Sequence, residues 1–247
     1  MPKAPAYDAD AQAFITATGI TDLTQKNAIN QLVLDLKGYS IWTKMKALYP
    51  FVGGTATTHK YNLKNPLDTD AAFRLIFSGG ITHNSNGITG TVNGNANTFV
   101  NDANDLSIND KHISMYQRNI LSDPSNTSMG INAFSRFYLN SGGNNYSTLS
   151  MLQSPFTRQT PQQGMFIMSK IIVGEFKYYQ NALTAVTKTG TNIPLSTTYR
   201  ILAGDAGSEP SLANIAFASL GTGLSTTDAA NLRTTVQAFQ TALSRNV

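Results

Sequence analysis

The sequence contains no cysteine, so it can form neither disulfide bonds nor zinc sites with cysteine ligands. Its 247 residues are enough to bury a core without such staples. Charged residues are also scarce, at 13% of the chain, about half of the usual ~25%. Polarity comes instead from Asn, Thr, Ser and Gly, which favour turns and a β-rich fold. The composition indicates one all-β domain with attachments, or two small domains.

The basic residues do not form a patch along the sequence. The formal net charge is +4 and the sequence pI is about 9.2, which alone would suggest nucleic acid. Because the lysines and arginines are scattered, we predict no nucleic-acid partner. No stretch approaches the ~18 apolar residues of a membrane helix, and the N-terminus lacks the apolar segment of a signal peptide. We therefore expect no membrane insertion, and release by a route such as lysis if the protein acts outside a cell.

Helical signals are concentrated at the two ends of the chain. Apolar spacing and capping residues predict helices over residues 8–17, 22–37, 41–48 and 226–243. The second of these has four apolar residues on one face, namely Ile29, Leu32, Val33 and Leu36. The last has a similar apolar stripe, namely Leu232, Val236, Phe239 and Leu243. Both begin with a polar pair of the capping-box type.

The middle of the chain is predicted to be β-structure. From about Thr55, short apolar or alternating runs are separated by Gly, Asn, Ser and Pro. Ten runs are predicted as strands: 59–63, 72–77, 97–100, 112–117, 132–139, 165–173, 176–180, 184–188, 198–203 and 213–220. Two of them, 72–77 and 165–173, are nearly continuously apolar and are predicted to be covered on both faces. Polar loops are predicted at 84–98, 121–130 and 140–147.

These elements together predict a mainly β fold, an antiparallel sandwich with helices at both ends. The predicted division is an N-terminal helical arm over residues 1–54 and a sandwich with its C-terminal helix over residues 55–247. Because the apolar face of the arm precedes the sandwich, it needs a partner surface. We expect a homo-oligomer. The alternative is a monomer whose helices fold back on the sandwich.

The sequence offers no catalytic constellation. It contains only two glutamates, Glu175 and Glu209, whereas sandwich glycosidases use a close pair of carboxylates. Asp68 and Asp70 would share one face of an extended segment, but their position between Pro66 and an apolar run favours a loop or strand entry. Motifs of serine hydrolases, phosphate-binding loops and zinc peptidases are absent. We predict no enzymatic activity, no catalytic residue and no cofactor.

Two groups of residues are candidate metal ligands. His59, His83 and His112 are far apart in the sequence and are interpreted as ordinary surface or half-buried histidines. An Asp- and Asn-rich stretch contains Asn101, Asp102, Asn104, Asp105, Asn109 and Asp110. Such residues supply the oxygen ligands that calcium needs, but their spacing differs from that of an EF-hand, and they also form turns. We assign no metal site, and the calcium alternative stays open.

Three tyrosines are candidate glycan contacts. Tyr178 and Tyr179 precede a strand–turn–strand signal, and Tyr146 lies in the polar segment 140–147. Aromatic rings beside polar loops can stack on the apolar face of a pyranose. The alternative interpretation of the pair at 178–179 is ordinary packing across strands.

Several segments resemble a known group of proteins. The segments at 25–54, QKNAINQLVLDLKGYSIWTKMKALYPFVGG, and 59–90, HKYNLKNPLDTDAAFRLIFSGGITHNSNGITG, resemble virion proteins of tailed phages with a concanavalin-like (laminin-G-like) jelly-roll domain. The segment ANIAFASLGTGLSTTDAANLRTTVQAFQTAL at 213–243 resembles that group's last strand and terminal helix. FKYYQNALTAVTK at 176–188 resembles its hairpin, although Ala182 stands where glycine is usual, which makes a tight turn less expected.

The resemblance implies a non-enzymatic structural protein of a phage virion, in a head fibre, a capsid decoration or a tail-associated position. Its partners would be other virion proteins. Because phage fibres and decorations are commonly threefold, the resemblance also favours a trimer for the expected homo-oligomer. The alternative function is a lectin-type module that recognises host surface glycans, and the two functions are compatible on one particle. The resemblance implies no catalytic residues.

Overall fold

The computed structural model describes residues 6–121, 127–139, 144–152, 156–157, 160, 162–182, 184–204 and 207–247. Within these ranges the chain forms four α-helices, namely α1 Ala9–Thr18, α2 Leu23–Gly38, α3 Ala56–His59 and α4 Thr226–Ala242. Two short 3-10 turns lie at Trp42–Lys44 and Asp70–Ala72. Of the described helices, none is both long enough and apolar enough to span a membrane.

The strands are short, and all of their pairings are antiparallel. They are β1 Met45–Tyr49, β2 Ile76–Ser78, β3 Thr82–Asn84, β4 Gly87–Thr89, β5 Asn95–Asn101, β6 Lys111–Gln117, β7 Met129–Gly130, β8 Ser135–Phe137, β9 Asn144–Asn145, β10 Thr148–Leu149, β11 Met151–Leu152, β12 Phe156–Thr157, β13 Gly164–Ile172, β14 Glu175–Gln180, β15 Val186–Thr189, β16 Thr191–Asn192, β17 Thr198–Ile201 and β18 Asn214–Gly221.

Two sheets form the body of the molecule. The larger runs β15-β14-β13-β6-β18-β4-β3, with β1 also paired to β18. The smaller runs β10-β8-β7-β17-β5-β2. Two further two-stranded sheets, β11-β16 and β12-β9, lie outside these. The predicted fold class, an antiparallel β-sandwich with a helical N-terminal arm and a C-terminal helix, is confirmed.

The larger sheet is apolar on both faces. Along β13, Phe166 and Met168 belong to the inner core between the sheets, whereas Met165 and Ile167 belong to an outer core beneath the helices. This alternation follows from the two-residue period of a strand. The molecule therefore has three layers, and the larger sheet is the middle one. The prediction that 165–173 is covered on both faces is confirmed for its first seven strand residues; the exposed residues Ile171, Ile172 and Val173 end the run.

Local capping interactions set the ends of the helices. Asp8 caps α1 by accepting from the Asp10 amide at 3.0 Å, and Gly19 ends that helix in the left-handed conformation. Ser225 and Asp228 form a reciprocal capping box at the start of α4. The predicted pair at α2 is only half of such a box. Asp22 accepts from the Gln25 amide, whereas the Gln25 side chain accepts from the Gly53 amide at 2.7 Å.

The N-terminal arm folds back on its own sandwich. Ile29, Leu32, Val33 and Leu36 are all buried in the outer core, where α2 packs beside α4. Trp42 and Met45 join the same cluster. The reason given above for self-association, an uncovered apolar arm, is therefore wrong, because this chain covers that face itself. The oligomeric state stays a prediction.

The predicted third helix, 41–48, is wrong. Its first residues form a 3-10 turn, and Met45–Tyr49 form β1, which pairs with Ala218–Gly221 of β18. Pairing with a strand about 170 residues away overrode the local helical spacing. The division of the chain at residue 54 stays a prediction, although β1 places part of the predicted arm inside the larger sheet.

Other corrections concern edges and loops. Residues 59–63 are not a strand, because His59 ends α3 and Asn62 forms an isolated bridge with Asn65. The apolar run 72–77 is not a central strand, because β2 lies at the edge of the smaller sheet and Ile76 is exposed. The predicted loop 84–98 contains β4 and most of β5. Of the predicted loops 121–130 and 140–147, residues 122–126 and 140–143 lie outside the described residues, and the rest contains the short strands β7 and β9.

Candidate functional site

A cleft opens on the outer face of the larger sheet, beside α4. Its volume is about 470 Å³, and its floor is the outward face of β13, β14 and β15. The wall opposite is one side of α4, formed by residues at i, i+3, i+4 and i+7, namely Thr226, Ala229, Ala230 and Arg233. The cleft exists because small side chains at Ala229 and Ala230 leave space between the helix and the strands. We call it the β14–α4 cleft.

The register of the strands fixes the order of side chains along the floor. Lys177, Tyr179 and Asn181 follow each other at two-residue intervals and therefore share the outward face of the sheet. Tyr179 lies opposite Ile167 of β13, and Lys177 lies opposite Thr187 of β15. The floor is thus apolar along β13 and polar along β14.

Tyr179 ties the floor to the helix wall. Its hydroxyl lies 3.2 Å from the Thr226 hydroxyl, and its ring is 9% exposed. Asn181 adopts a positive φ of 50°. Its side-chain oxygen accepts from the Met165 amide at 2.8 Å, and its nitrogen donates to the Gln163 carbonyl at 2.9 Å. These hydrogen bonds fix the conformation at the end of β14, so this end of the cleft is preorganised for a ligand.

The charge of the cleft is one-sided. Lys177 and Arg233 line it, whereas none of its described lining residues is acidic. Neither cation forms an ion pair with any residue in the described ranges. Of the nearby acids, Asp228 pairs with Lys44 at 2.8 Å, and Glu175 lies two residues before Lys177, outside the lining. The cleft therefore combines an aromatic edge, neutral hydrogen-bonding groups and uncompensated positive charge.

The three tyrosines predicted as glycan contacts do not form one site. Tyr179 lines the β14–α4 cleft. Tyr178 points to the other face of the sheet, where it is completely buried beside Phe137 and Phe166. Burial raises the pKa of the Tyr178 hydroxyl. Its interpretation as a glycan contact is corrected, because its ring is cross-strand core packing. Tyr146 is 36% exposed and packs edge-on against Tyr138, away from the residues that line the cleft.

Two of the three histidines meet. The Nδ1 atoms of His59 and His83 are 3.0 Å apart. Burial and the neighbouring charges of His83 and Arg245 lower the pKa of His59 to about 3, so both rings stay neutral near pH 7 and share one hydrogen bond. His112 lies elsewhere, between the Thr222 carbonyl and the Ser219 hydroxyl. No group of three or more metal-ligating side chains occurs in the described parts of the chain.

The aspartates considered above are each engaged separately. Asp68 and Asp70 are held by Arg74, and Asp68 also by Lys60. In the Asx-rich stretch, Asp102 is buried against Lys111, while Asp105 pairs with Lys46. Asp110 accepts from the Gly223 amide at 2.8 Å. These carboxylates have different partners and do not converge on one point.

The sequence interpretation missed most of the cleft. Lys177, Thr187 and Arg233 were not considered as site residues. The two-residue period places Lys177 and Tyr179 on one face of β14, and the helical period places Thr226 and Arg233 on one side of α4. These two signals were present in the sequence. That the two faces meet depends on the three-dimensional packing of α4 on β13, which no local pattern in the sequence indicates.

Comparisons with known proteins give distant structural neighbours only. No protein-family model matches the chain, and no curated protein matches its sequence. One similar structure is domain 4 of AbnA, a GH43 extracellular arabinanase from Geobacillus stearothermophilus, in complex with arabinotriose. It has 13% identity and a TM-score of 0.44, over 77% of this chain and 98% of that one.

A second similar structure is the sialidase of Trypanosoma rangeli in complex with sialic acid. It has 10% identity and a TM-score of 0.43, over 83% of this chain. The match spans only 38% of the sialidase. At these TM-scores neither likeness carries information about the ligand or activity of this protein.

Proposed function

We propose that this protein is a non-enzymatic glycan-binding module and that the β14–α4 cleft is its binding site. The observation that carries the proposal is the composition of the cleft. Tyr179 and the apolar floor along β13 offer contact to the apolar face of a sugar, while Thr187, Thr226, Lys177 and Arg233 offer hydrogen bonds to its hydroxyls. A cleft of about 470 Å³ falls in the usual range for small-molecule sites.

The absence of catalysis is part of the proposal. Most glycosidases hydrolyse a glycosidic bond with two carboxyl groups that flank it. The described lining of the cleft contains no carboxyl group, and Asp68 and Asp70 are occupied by Lys60 and Arg74. We expect no turnover of any glycan that binds.

The proposed setting is the virion of a tailed phage. Its support is the resemblance of segments 25–54, 59–90 and 213–243 to virion proteins with a concanavalin-like jelly roll. In that setting the protein would contact other virion proteins and present the cleft to host surface glycans. Electron microscopy of intact particles with an antibody against this chain tests the setting, because absence of label from head, neck and tail would contradict it.

Self-association is proposed on the same basis. A homo-oligomer, with a trimer favoured, would multiply weak glycan contacts through avidity. Light scattering of the full chain at micromolar concentration measures the oligomeric state. A monomer would overturn this part of the proposal while leaving the cleft intact.

Binding is tested first on a glycan array with the full chain. The blocking variant is Ala230→Trp, because Ala230 is exposed and lines the cleft, so the indole fills the cleft without entering the core. The matched control is Thr234→Trp, at an exposed position of the same helix outside the lining. We expect wild type and the control to bind the same glycans and the blocking variant to lose them. A wild type that binds no glycan, or a blocking variant that binds normally, contradicts the proposal.

A further inference from the structure

We infer that the ligand of the β14–α4 cleft is an acidic oligosaccharide with at least two negatively charged groups, one for Lys177 and one for Arg233. The inference rests on the proposed glycan-binding function and adds the class of glycan. Three observations carry it: the positions of the two cations, their lack of partners, and the neutrality of the rest of the lining.

The two cations lie toward opposite ends of the cleft. Lys177 pairs in register with Ser169, whose hydroxyl bonds both the amide and the carbonyl of Leu224, just before α4 begins. Lys177 is therefore at the end where α4 starts. The helix begins at Thr226, whose hydroxyl contacts that of Tyr179. It then runs toward Tyr116, whose hydroxyl donates to Gln237 at 3.3 Å.

Arg233 lies on this path, close to the far end of the cleft. It is seven residues beyond Thr226, a distance of about 10 Å along the helix axis. On the floor, Gln180, the last residue of β14, is three residues beyond Lys177, about 10 Å along an extended strand. This separation of their backbone positions favours an oligosaccharide chain with charges on separate residues over a single small anion.

The two cations are available for a ligand. Both are half-buried, and neither forms an ion pair within the described ranges. A half-buried cation without a counter-ion is less well solvated than one in open water and gains from an anion that takes the place of water. Two other cations near the helices are already paired, since Lys37 pairs with Asp8 and Asp10 and Lys44 pairs with Asp228.

The neutral lining between the two ends defines the rest of the ligand. Ala229 and Ala230 form the wall and Ile167 the floor, with Thr187 and Thr226 at the rim. None of these groups repels a negative charge, and none adds a positive charge to those of Lys177 and Arg233. The negative groups of the glycan are carboxylates, as in uronic or sialic acids, or phosphates, as in sugar-phosphate polymers. Both accept charge-assisted hydrogen bonds from Arg and Lys.

The experiment compares three variants of the full chain. Lys177→Gln and Arg233→Gln each remove one cation from the cleft. Lys188→Gln removes the same charge from the neighbouring strand β15, outside the cleft lining, and is the matched control. Calorimetry measures binding to oligogalacturonates of one to six residues, to oligomers of sialic acid, to sugar-phosphate oligomers, and to methyl-esterified oligogalacturonates as neutral counterparts.

We expect tight binding only for acidic chains that carry two or more charges, in whichever of the three acidic classes fits. Each cleft variant weakens that binding by about tenfold or more, as loss of a hydrogen bond between charged groups predicts. The control variant stays within about twofold of wild type, and added salt weakens binding. Monomers and neutral esters bind weakly to all forms.

Two outcomes overturn the inference, and they differ from failure of the proposed function. If the array finds a neutral glycan whose binding Ala230→Trp abolishes but Lys177→Gln and Arg233→Gln do not change, the cleft binds glycans and the acidic class is wrong. If single-residue acids bind as tightly as oligomers, the two-charge requirement is wrong. If no glycan of either class binds, the proposed function fails together with the inference.

Discussion

Lys111 donates a 2.7 Å hydrogen bond to Asp102 where both side chains are shut off from solvent. The same carboxylate accepts from the hydroxyls of Tyr199 at 2.6 Å and Ser150 at 2.9 Å. The ion pair is thus part of a hydrogen-bond network that links β6 and β17 with the end of β5. Burial lowers the pKa of Lys111, and the adjacent Asp102 opposes that effect.

Removing one partner of this pair is expected to cost much stability. Asp102→Ala would leave the ammonium of Lys111 buried without its counter-ion, so we expect the free energy of unfolding to fall by about 3–5 kcal/mol. The half-buried pair of Lys46 with Asp105 serves as the control, since Lys46→Ala should cost less than about 1 kcal/mol. Urea denaturation of both variants measures the difference, and equal losses would contradict the account of the network.

Stability should fall as the pH drops from 6.5 toward 4. Burial lowers the pKa of His112 from 6.5 to about 4, and that of His59 to about 3. Below pH 6.5 the unfolded chain binds protons that the folded chain does not, so acid favours unfolding. Each such histidine contributes a slope of about 1.4 kcal/mol per pH unit. The stability that each buried, neutral histidine contributes is fully present above pH 6.5. It is lost as the pH falls toward the pKa of that histidine in the folded chain.

The variant His112→Gln tests this window. It should lower the slope of unfolding free energy against pH by about one proton between pH 6 and 4.5. The lowered carboxyl pKa values of Asp8, Asp68 and Asp228 act below this window, because their ordinary value is 3.8. An unchanged slope, or a His112 resonance that titrates near pH 6.5 in NMR spectra, would be inconsistent with a buried neutral imidazole.

Arg245 joins the end of the chain to the arm. Its completely buried guanidinium donates to the carbonyls of Pro50, Phe51 and Ala216 and to the side chain of Gln240. Lysine cannot reproduce this fork of donors, so Arg245→Lys leaves buried carbonyls unpaired and should cost about 3 kcal/mol. Arg233→Lys, on the half-buried wall of the cleft, should stay within about 0.5 kcal/mol. Thermal unfolding of the two variants compares them, and similar melting temperatures would count against the role of Arg245.

A chain that starts at Thr55 is expected to fold poorly. It would lose β1, which pairs with β18, and the apolar residues of α1 and α2 that complete the outer core. We expect aggregation, or a monomer with a strongly lowered melting temperature. Gel filtration and circular dichroism measure both. A soluble monomer with the melting temperature of the full chain would show that the arm is an independent unit.

Local signals predicted the parts of the fold that local interactions decide. Asp8 and Gly19 mark the ends of α1, and Ser225 marks the start of α4, because capping depends on neighbouring residues. β6, β13 and β18 correspond to predicted strands, because short apolar or alternating runs between turn residues favour strands. Segment 41–48 was misread, since Trp42, Met45 and Leu48 have helical spacing, whereas pairing of β1 with distant β18 decided the structure.

The site was only partly predictable for the same reason. Tyr178 and Tyr179 were both proposed as ligand contacts, yet adjacent residues of a strand face opposite sides. Only the packing of α4 over β13 shows that the Tyr179 side holds the cleft. His59 and His83 met because β3 and α3 approach each other, which the separation of 24 residues did not indicate.

The most direct test of the binding site is an NMR titration of the isotope-labelled full chain with the best-binding glycan of the array. The account predicts that amide resonances of Lys177, Asn181, Thr187 and Ala230, all in the β14–α4 cleft, shift together and saturate at one ligand per chain. Resonances of Tyr146 and its neighbours should stay unchanged. Shifts centred on Tyr146 with an unperturbed cleft would contradict the account.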